Sequence, residues 1–589
     1  MVTAPSDSRN PSRKFQVYKD TIEVLVTPHY GNAVPKQYPE TGKRQGLRNL
    51  AWTAFYHLKK HTGVGLICAV AYFDPGNWGV DLLAGSQYGY RLLFVVLMCG
   101  LFAILIQCLA TRLGTVTGLD LASHCRLLLH SRPKHKLLYR WLGLYPLYII
   151  SEVAIIATDL AELLGSAIAL CLLFPNLQLW HGVLITAFDV IFVLALGDPL
   201  RGRPVKYFEI MIGAMVIAVL ICMCIVISKV NVQWGDTFMG YLPSRYIIPN
   251  GALYTSVGIL GATVMPHSIF LGSALATQDR ISLSVTAADD NQSFVYTNPL
   301  IRIYRSVKVV TTSAFKTPPP SEYATSATCH SERENNTTEH IKNHLYHGIF
   351  DMAVSLLGFA VVINSLILIL AAAVFFSGQD KGSNTESPAG LFEAYDMIQE
   401  LIGQGVDECF SINVIYLEGN ISLGAATLFA VALLSAGQSS SIIATVAGQA
   451  VSEGFLQWRT SPVVRRLVTR LIAVIPSMAV AIAMGKPGID ALLVASQVVL
   501  SIVLPFVTAP LIYLTASKKI MSARKPQLAT SLSDIIEAEM YKQDVEMAES
   551  TGEDFRSNRF TTAVATCIWI LVTMANIYVL VTLGMGESN

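Results

Sequence analysis

The chain has 589 residues, of which 52% are hydrophobic and 14% charged, and its formal net charge is +1. A typical soluble domain carries about 25% charged residues, so this composition belongs to a membrane protein. Neither a charge surplus nor a basic stripe with interleaved aromatics is available for nucleic acid.

Residues 1–50 are polar, lack the short apolar core of a cleaved signal peptide, and read as a cytosolic tail. About eleven apolar spans follow, at roughly 62–85, 92–113, 144–173, 179–197, 206–228, 250–277, 347–376, 421–444, 467–486, 490–515 and 560–583. The expected fold is therefore an all-α integral membrane protein. The first span is interrupted by Asp74-Pro75-Gly76-Asn77 and the sixth by Met265-Pro266-His267. Proline lacks a backbone donor and keeps the residue before it out of the helical region, so the backbone unwinds at Asp74 and Met265. Unwound backbone at membrane depth survives only inside the protein or along a cavity. The half-helices that end near Ala71 to Phe73 and near Gly261 to Val264 leave carbonyls unpaired at their negative ends, which suits a cation. A carboxylate, an amide oxygen and a thioether beside those carbonyls suggest a divalent transition metal, because sulfur offers little to magnesium or calcium. In a soluble chain Asp-Pro-Gly-Asn would be an ordinary helix start and methionine a gap-filler. A lone carboxylate near the bilayer midplane, costing on the order of 3 kcal/mol, instead wants a partner.

The third span carries Glu152, Asp159 and Glu162, which at about 100° per residue share one helix face. Arg465 and Arg466, just before the ninth span, are the expected counterions, either in a static network or in a path for charge. His267, beside the second break, is either a proton acceptor or a neutral core histidine. Arg112, Arg126, Arg132, Lys134, Lys136 and Arg140 in one loop, and Arg201, Arg203 and Lys206 in another, mark the cytosolic side. The stretch 377–420 has Lys381 as its only basic residue and is placed outside, so the amino terminus is expected inside and the carboxyl terminus in the extracellular or lumenal space. Residues 279–345 are rich in Ser, Thr, Asn and charge and read as a disordered cytosolic loop. Within it, Pro318-Pro319-Pro320 falls short of an adaptor ligand by the placing of Tyr323. His340, His344 and His347 share a helical face there, either as a polar lead-in to the seventh span or as groups that touch departing metal. Residues 517–558 turn from basic to acidic and read as a solvated cytosolic segment. The ten cysteines contain no C-x-x-C pair and form neither a disulfide framework nor a zinc site. Sequons occur at Asn291, at Asn335 or Asn336, and at Asn420.

Taken in order, Asp74-Pro75-Gly76-Asn77, Thr158-Asp159-Leu160-Ala161-Glu162, the run Gly261 to His267, Gly437-Gln438-Ser439-Ser440 and the run Ser496 to Ser501 resemble the Nramp family of proton-coupled divalent metal transporters, fungal members especially. The resemblance covers nearly all the spans. It implies a LeuT-like bundle of inverted repeats with broken helices 1 and 6, at 51–245 and 246–516, followed by the segment 517–558 and an eleventh helix in 559–589. It implies a metal site of Asp74, Asn77 and Met265 side chains with Ala71 and Ala262 carbonyls, joined by Gln497 on closure. It assigns His267, Glu152, Asp159, Glu162, Arg465 and Arg466 to proton movement. Ser441, Ile443 and Ala444 depart from the family's usual G-Q-S-S-T-x-T-G-T, whereas Met265 is kept, and the family's magnesium and aluminium carriers lack it.

The expected protein is a secondary transporter, not an enzyme, importing Mn²⁺, Fe²⁺ and similar ions into the cytosol with protons. No Walker A sequence offers direct ATP drive. Cofactors are not expected, the metal being substrate; the partners are the lipid bilayer and trafficking adaptors at the cytosolic loops. The membrane is the plasma membrane or that of an endosome or vacuole. The rivals are a LeuT-like carrier of another substrate, which would have no use for Met265, and a metal receptor that binds without transport.

Overall fold

A computed structural model of the chain describes residues 63–132, 134–187, 206–247, 250–280, 330, 333–376, 390–403, 424–458, 462–523 and 553–585. Helix occurs in each of the predicted spans. The first is split into α1 (Val64–Val70) and α2 (Pro75–Tyr88), and α3 (Leu93–Thr117) is the second. After a short amphipathic α4 (Leu121–Leu129) come α5 (Tyr145–Leu173), α6 (Leu179–Ala187) and α7 (Lys206–Lys229). The sixth span is again split, into α8 (Asn250–Thr263) and α9 (Pro266–Leu275). The seventh is α10 (Thr338–Ser355) and α11 (Val362–Ala371), with π-helical Leu356–Val361 between them and Ala372–Phe376 after. An amphipathic α12 (Leu391–Gly403) precedes α13 (Ala425–Leu456), α14 (Pro462–Ala483), α15 (Gly485–Ala516) and α16 (Arg559–Met585).

Eight helical stretches are long and apolar enough to cross a bilayer by themselves. The remaining predicted spans are the broken first one, the fourth, described only to Ala187, and the ninth, whose apolar part Leu467–Ala483 is shorter. Around the outside, α14 exposes Leu467, Leu471, Ile475 and Ile482, and α16 exposes Ile570, Leu571, Met574 and Ile577. In water such apolar faces would drive association; against acyl chains they are simply solvated.

Small residues let the inner helices approach closely, as in membrane bundles generally. A methyl added at Gly437 of α13 would lie 2.3 Å from Ser166 Oγ of α5, and one at Gly165 would lie 1.9 Å from Pro75 Cβ at the start of α2. The first break is thus gripped by α5 and α13.

The segment expected to stay disordered up to residue 345 is structured from Arg333 onward. Thr337 caps α10, its hydroxyl accepting from the His340 amide at 3.3 Å. Asn335 Nδ2 donates to the Ile520 and Ser522 carbonyls at 2.7 and 2.8 Å, and Asn336 Nδ2 to Thr115 O at 2.9 Å. Free carbonyls at the ends of other elements therefore fix a polar stretch that could not fold alone. Both carboxamides of that sequon are engaged with backbone; Asn291 and Asn420 lie outside the described residues. So do the tail 1–50, Pro318-Pro319-Pro320, Cys329, Cys409 and most of 377–420 and 517–558. The two ends of the last segment meet in a minimal antiparallel pair, β1 (Ser522–Ala523) with β2 (Glu553–Asp554).

Candidate metal centre

The two proline breaks free one particular carbonyl each. In an α-helix the carbonyl of residue i accepts from the amide of residue i+4. Four residues beyond Ala71 stands Pro75, and four beyond Ala262 stands Pro266, neither of which has an N–H to give. The end of α1 tightens instead, with Ala71, Tyr72 and Phe73 amides bonding three residues back to Cys68, Ala69 and Val70. Tyr72 and Phe73 carbonyls accept from Asn364 Nδ2 at 2.7 Å and Trp78 Nε1 at 3.2 Å. Ala262 O accepts from Asn77 Nδ2 at 2.9 Å, so a side chain of the first break reaches the backbone of the second.

Asp74 is the N-cap of α2, extended at φ −63° and ψ 167°, and its Oδ1 accepts from the Asn77 amide at 3.0 Å and Asn77 Nδ2 at 2.6 Å. Its Oδ2 is buried without a hydrogen-bond partner among the described residues. Met265 is the matching N-cap of α9 at φ −78° and ψ 122°, and makes no side-chain cap bond. Gln497 of α15 donates from Nε2 to Ser496 Oγ at 3.1 Å, and its buried Oε1 has no partner among the described residues. A methyl on Gly76 would fall 1.7 Å from Gln497 Nε2, so this amide lies directly on the first break, and only glycine leaves room for it. Ala71, Asp74, Asn77, Ala262, Met265 and Gln497 are all at most 1% exposed. The set offers one hard anion, amide and main-chain oxygens and one soft sulfur, which fits a divalent first-row transition ion.

Sequence reasoning passed over two further buried polar residues, of which Asn364 joins this centre and Asp81 lies about 10 Å along α2 from Asp74. Asn364 of α11, just past the π-helical turns, bridges Tyr72 O and Asn77 Oδ1, the latter at 3.3 Å. Asp81, seven residues beyond Asp74 in α2, is buried with an Oδ2 that no described residue satisfies. Both stand as isolated polar residues in apolar spans, and that was the available signal.

The second polar array joins α5, α13 and α14. Glu152 pairs with Arg465 at 2.6 Å, as expected. Asp159 does not share that counterion. Arg470 Nη1 lies 3.3 Å from Asp159 O and 4.0 Å from its Oδ1, while Nη2 donates to Ser441 Oγ at 2.7 Å. Glu152 and Asp159 are about 10 Å apart along the α5 axis, so the Arg465 guanidinium held by one does not also serve the other. The side chain of Arg466 lies outside the described residues. Glu162 Oε1 accepts from Ser440 Oγ at 2.6 Å, so the Gly437 to Ser441 segment feeds hydroxyls to both partners of the array. His267 Nδ1 is 3.3 Å from Thr158 Oγ1, whose only proton goes to Ala154 O at 3.0 Å. The ring N–H is therefore on Nδ1, and the buried Nε2 carries a lone pair with no partner among the described residues.

Comparison with known proteins identifies the family. The family model described as natural resistance-associated macrophage protein-like, Nramp, matches residues 65–314 and 318–537. The chain is 36% identical over 531 residues to the manganese transporter pdt1 of Schizosaccharomyces pombe, covering 90% of this chain and 86% of that protein. It is 37% identical over 535 residues to the iron transporter SMF3 of Saccharomyces cerevisiae, covering 90% and 97%. Among solved structures, the manganese transporter of Eremococcus coleocola superposes with a TM-score of 0.57 at 26% identity, over 92% of this chain and 96% of that one. The chain belongs to the Nramp family of metal transporters.

Proposed function

We propose that this protein carries Mn²⁺, Fe²⁺ and similar divalent ions into the cytosol together with protons. The observation that carries the reading is the pair of carbonyls released by Pro75 and Pro266, with Asn77 Nδ2 spanning Asp74 Oδ1 and Ala262 O across the two breaks. A cation held there would take Asp74 and Asn77 oxygens, the Ala71 and Ala262 carbonyls and Met265 sulfur, with Gln497 joining as the site closes. Relatives named for manganese and for iron transport support this substrate class. Both ions accept the same donor set.

Protons would use the second array: His267 beside the metal, then Asp159 with Arg470, Glu162 with Ser440, and Glu152 with Arg465. The positive residues between the second and third spans support a cytosolic amino terminus and an outer carboxyl terminus, in the plasma membrane or an endosomal or vacuolar membrane. Spans one to five and six to ten act as the two repeats, with adaptors meeting the cytosolic loops.

The test is Mn²⁺ uptake into proteoliposomes with internal pH followed at the same time. Wild type should acidify the lumen as Mn²⁺ enters. Asp74→Asn, which removes the one anion of the metal shell and keeps its size, should lose uptake and binding together while remaining monodisperse. Robust Mn²⁺ binding by that variant would move the site elsewhere.

A further inference from the structure

A second set of metal-ligating side chains converges away from the two breaks. His340 and His344 lie one turn apart on α10, and with Asp279, just beyond α9, they bring three donor atoms within 4.8 Å of one another. His344 Nδ1 is 2.9 Å from His340 O. Only a protonated Nδ1 can bond a carbonyl, so neutral His344 has its lone pair on Nε2. That Nε2 accepts a long bond from the Arg280 amide at 3.3 Å and lies 3.2 Å from Asp279 Oδ1. A metal ion at Nε2 would take the place of that long amide bond, with Asp279 Oδ1 as its neighbouring ligand. The His340 ring stacks on His344 with centroids 4.1 Å apart, and its Nε2 is buried with no partner among the described residues. Protonating both stacked rings would set like charges face to face, whereas one metal ion can use both as neutral ligands. The adjacent guanidinium of Arg280 is held by Glu209 at 2.7 Å, which offsets its charge.

We propose that Asp279, His340 and His344 form a second binding site for a divalent first-row transition ion, distinct from the site at the two breaks. Two imidazoles and one carboxylate leave positions for water, and a ring N–H given to a backbone carbonyl is the usual support for a ligating histidine. Neighbouring ligands of an ion with bonds of about 2.1 Å stand roughly 3 Å apart. The His344 to Asp279 separation already matches, and a small turn of His340 closes the set. Asp279 is fourteen residues beyond Met265, about 20 Å at helical rise, so none of its ligands is shared and the proposal does not depend on the transport reading. Two nitrogen ligands rank Co²⁺ and Zn²⁺ above Mn²⁺.

The experiment uses the full-length chain without a histidine tag, in detergent, in an Asp74→Asn background that disables the first site. Co²⁺ is added and followed by visible absorption and equilibrium dialysis. A single Co²⁺ should bind with the spectrum of a nitrogen-ligated ion, and His340→Ala, His344→Ala or Asp279→Ser should each weaken it by about tenfold or more. Should His344→Ala, whose side chain is only 10% exposed, fail to give monodisperse protein, Asp279→Ser at a 40% exposed position decides the matter. Unchanged Co²⁺ affinity in Asp279→Ser and His340→Ala overturns the proposal. Persistent Mn²⁺ binding by the Asp74→Asn parent with those three residues also replaced would instead count against the transport site.

Discussion

Gly165→Ala tests whether the close approach of α5 to the first break sets the metal geometry. The added methyl would lie 1.9 Å from Pro75 Cβ and 2.4 Å from Pro75 Cγ. Carbon atoms need about 3.6 Å, so the start of α2 must withdraw by roughly 1.7 Å, or α5 must share that movement. Overpacking of this kind costs about 1–3 kcal/mol. Replacing a helix-interior glycine by alanine returns up to about 1 kcal/mol, so the net loss of stability should be small. The site is far less forgiving, because metal–ligand distances tolerate only about ±0.2 Å, and Asp74 immediately precedes the displaced proline. The expected signature is a melting temperature only a few degrees lower with Mn²⁺ affinity reduced by about tenfold or more, equivalent to about 1.4 kcal/mol. Titration calorimetry and thermal melts on purified protein read both quantities. Gly358→Ala is the control, since a methyl there meets nothing within 4 Å. Wild-type Mn²⁺ affinity in a folded Gly165→Ala variant would refute the claim that the grip on Pro75 positions the ligands.

Met265→Ala removes the one soft donor of the proposed site and should leave folding intact while reducing the preference for Mn²⁺ over Ca²⁺, read by Mn²⁺ uptake against excess Ca²⁺; unchanged discrimination would exclude its sulfur. Asp159→Asn and Glu162→Gln remove ionisable groups without touching the metal shell, so proton entry should fall with Mn²⁺ binding retained, whereas normal coupling in the double variant would leave the array purely structural. Outside the membrane, burial drives His124 well below its ordinary value and His330 down to about 4, with Arg333 adding to both. Unfolded histidine takes its proton near pH 6.5 while the folded pair resists, so stability is full above that value and falls as pH drops towards about 4. Thermal melts across that window should show the decline, and His330→Gln should make it shallower; an unchanged slope would mean other groups govern it.

Sequence legibility followed the chemistry of the backbone more closely than that of side chains arriving from elsewhere. Proline in an apolar span has one physical consequence, loss of a donor, and that local rule located both breaks and the residues flanking them. Helix periodicity likewise placed Glu152, Asp159 and Glu162 on a shared face. What escaped were partners supplied from distant helices. Arg465 takes Glu152, but that a guanidinium further along the helix, Arg470, also reaches Asp159 depends on how far α14 runs alongside α5. Asn364 depends on the π-helical turns that set the register of α11, which no periodicity in Leu356 to Val361 announces. The start of α10 was missed because its support comes from the Thr115, Ile520 and Ser522 carbonyls rather than from its own composition.

The carboxamide of Asn77 connects the backbone rule to transport. Its Nδ2 donates at once to Asp74 Oδ1 and Ala262 O, the two oxygens that a cation at the breaks would claim, while its Oδ1 accepts from Asn364. Ligation by those same oxygens therefore requires the amide to turn, offering Oδ1 to the ion and giving up the bond to Asn364. Asn364 in turn holds Tyr72 O at the end of α1. Metal entry at the proposed site would thereby be tied to α11 and, through Ala262, to the end of α8. A rotation of one buried amide is small, but it exchanges hydrogen bonds on three helices at once, and a buried polar group left without a partner costs about 1–3 kcal/mol.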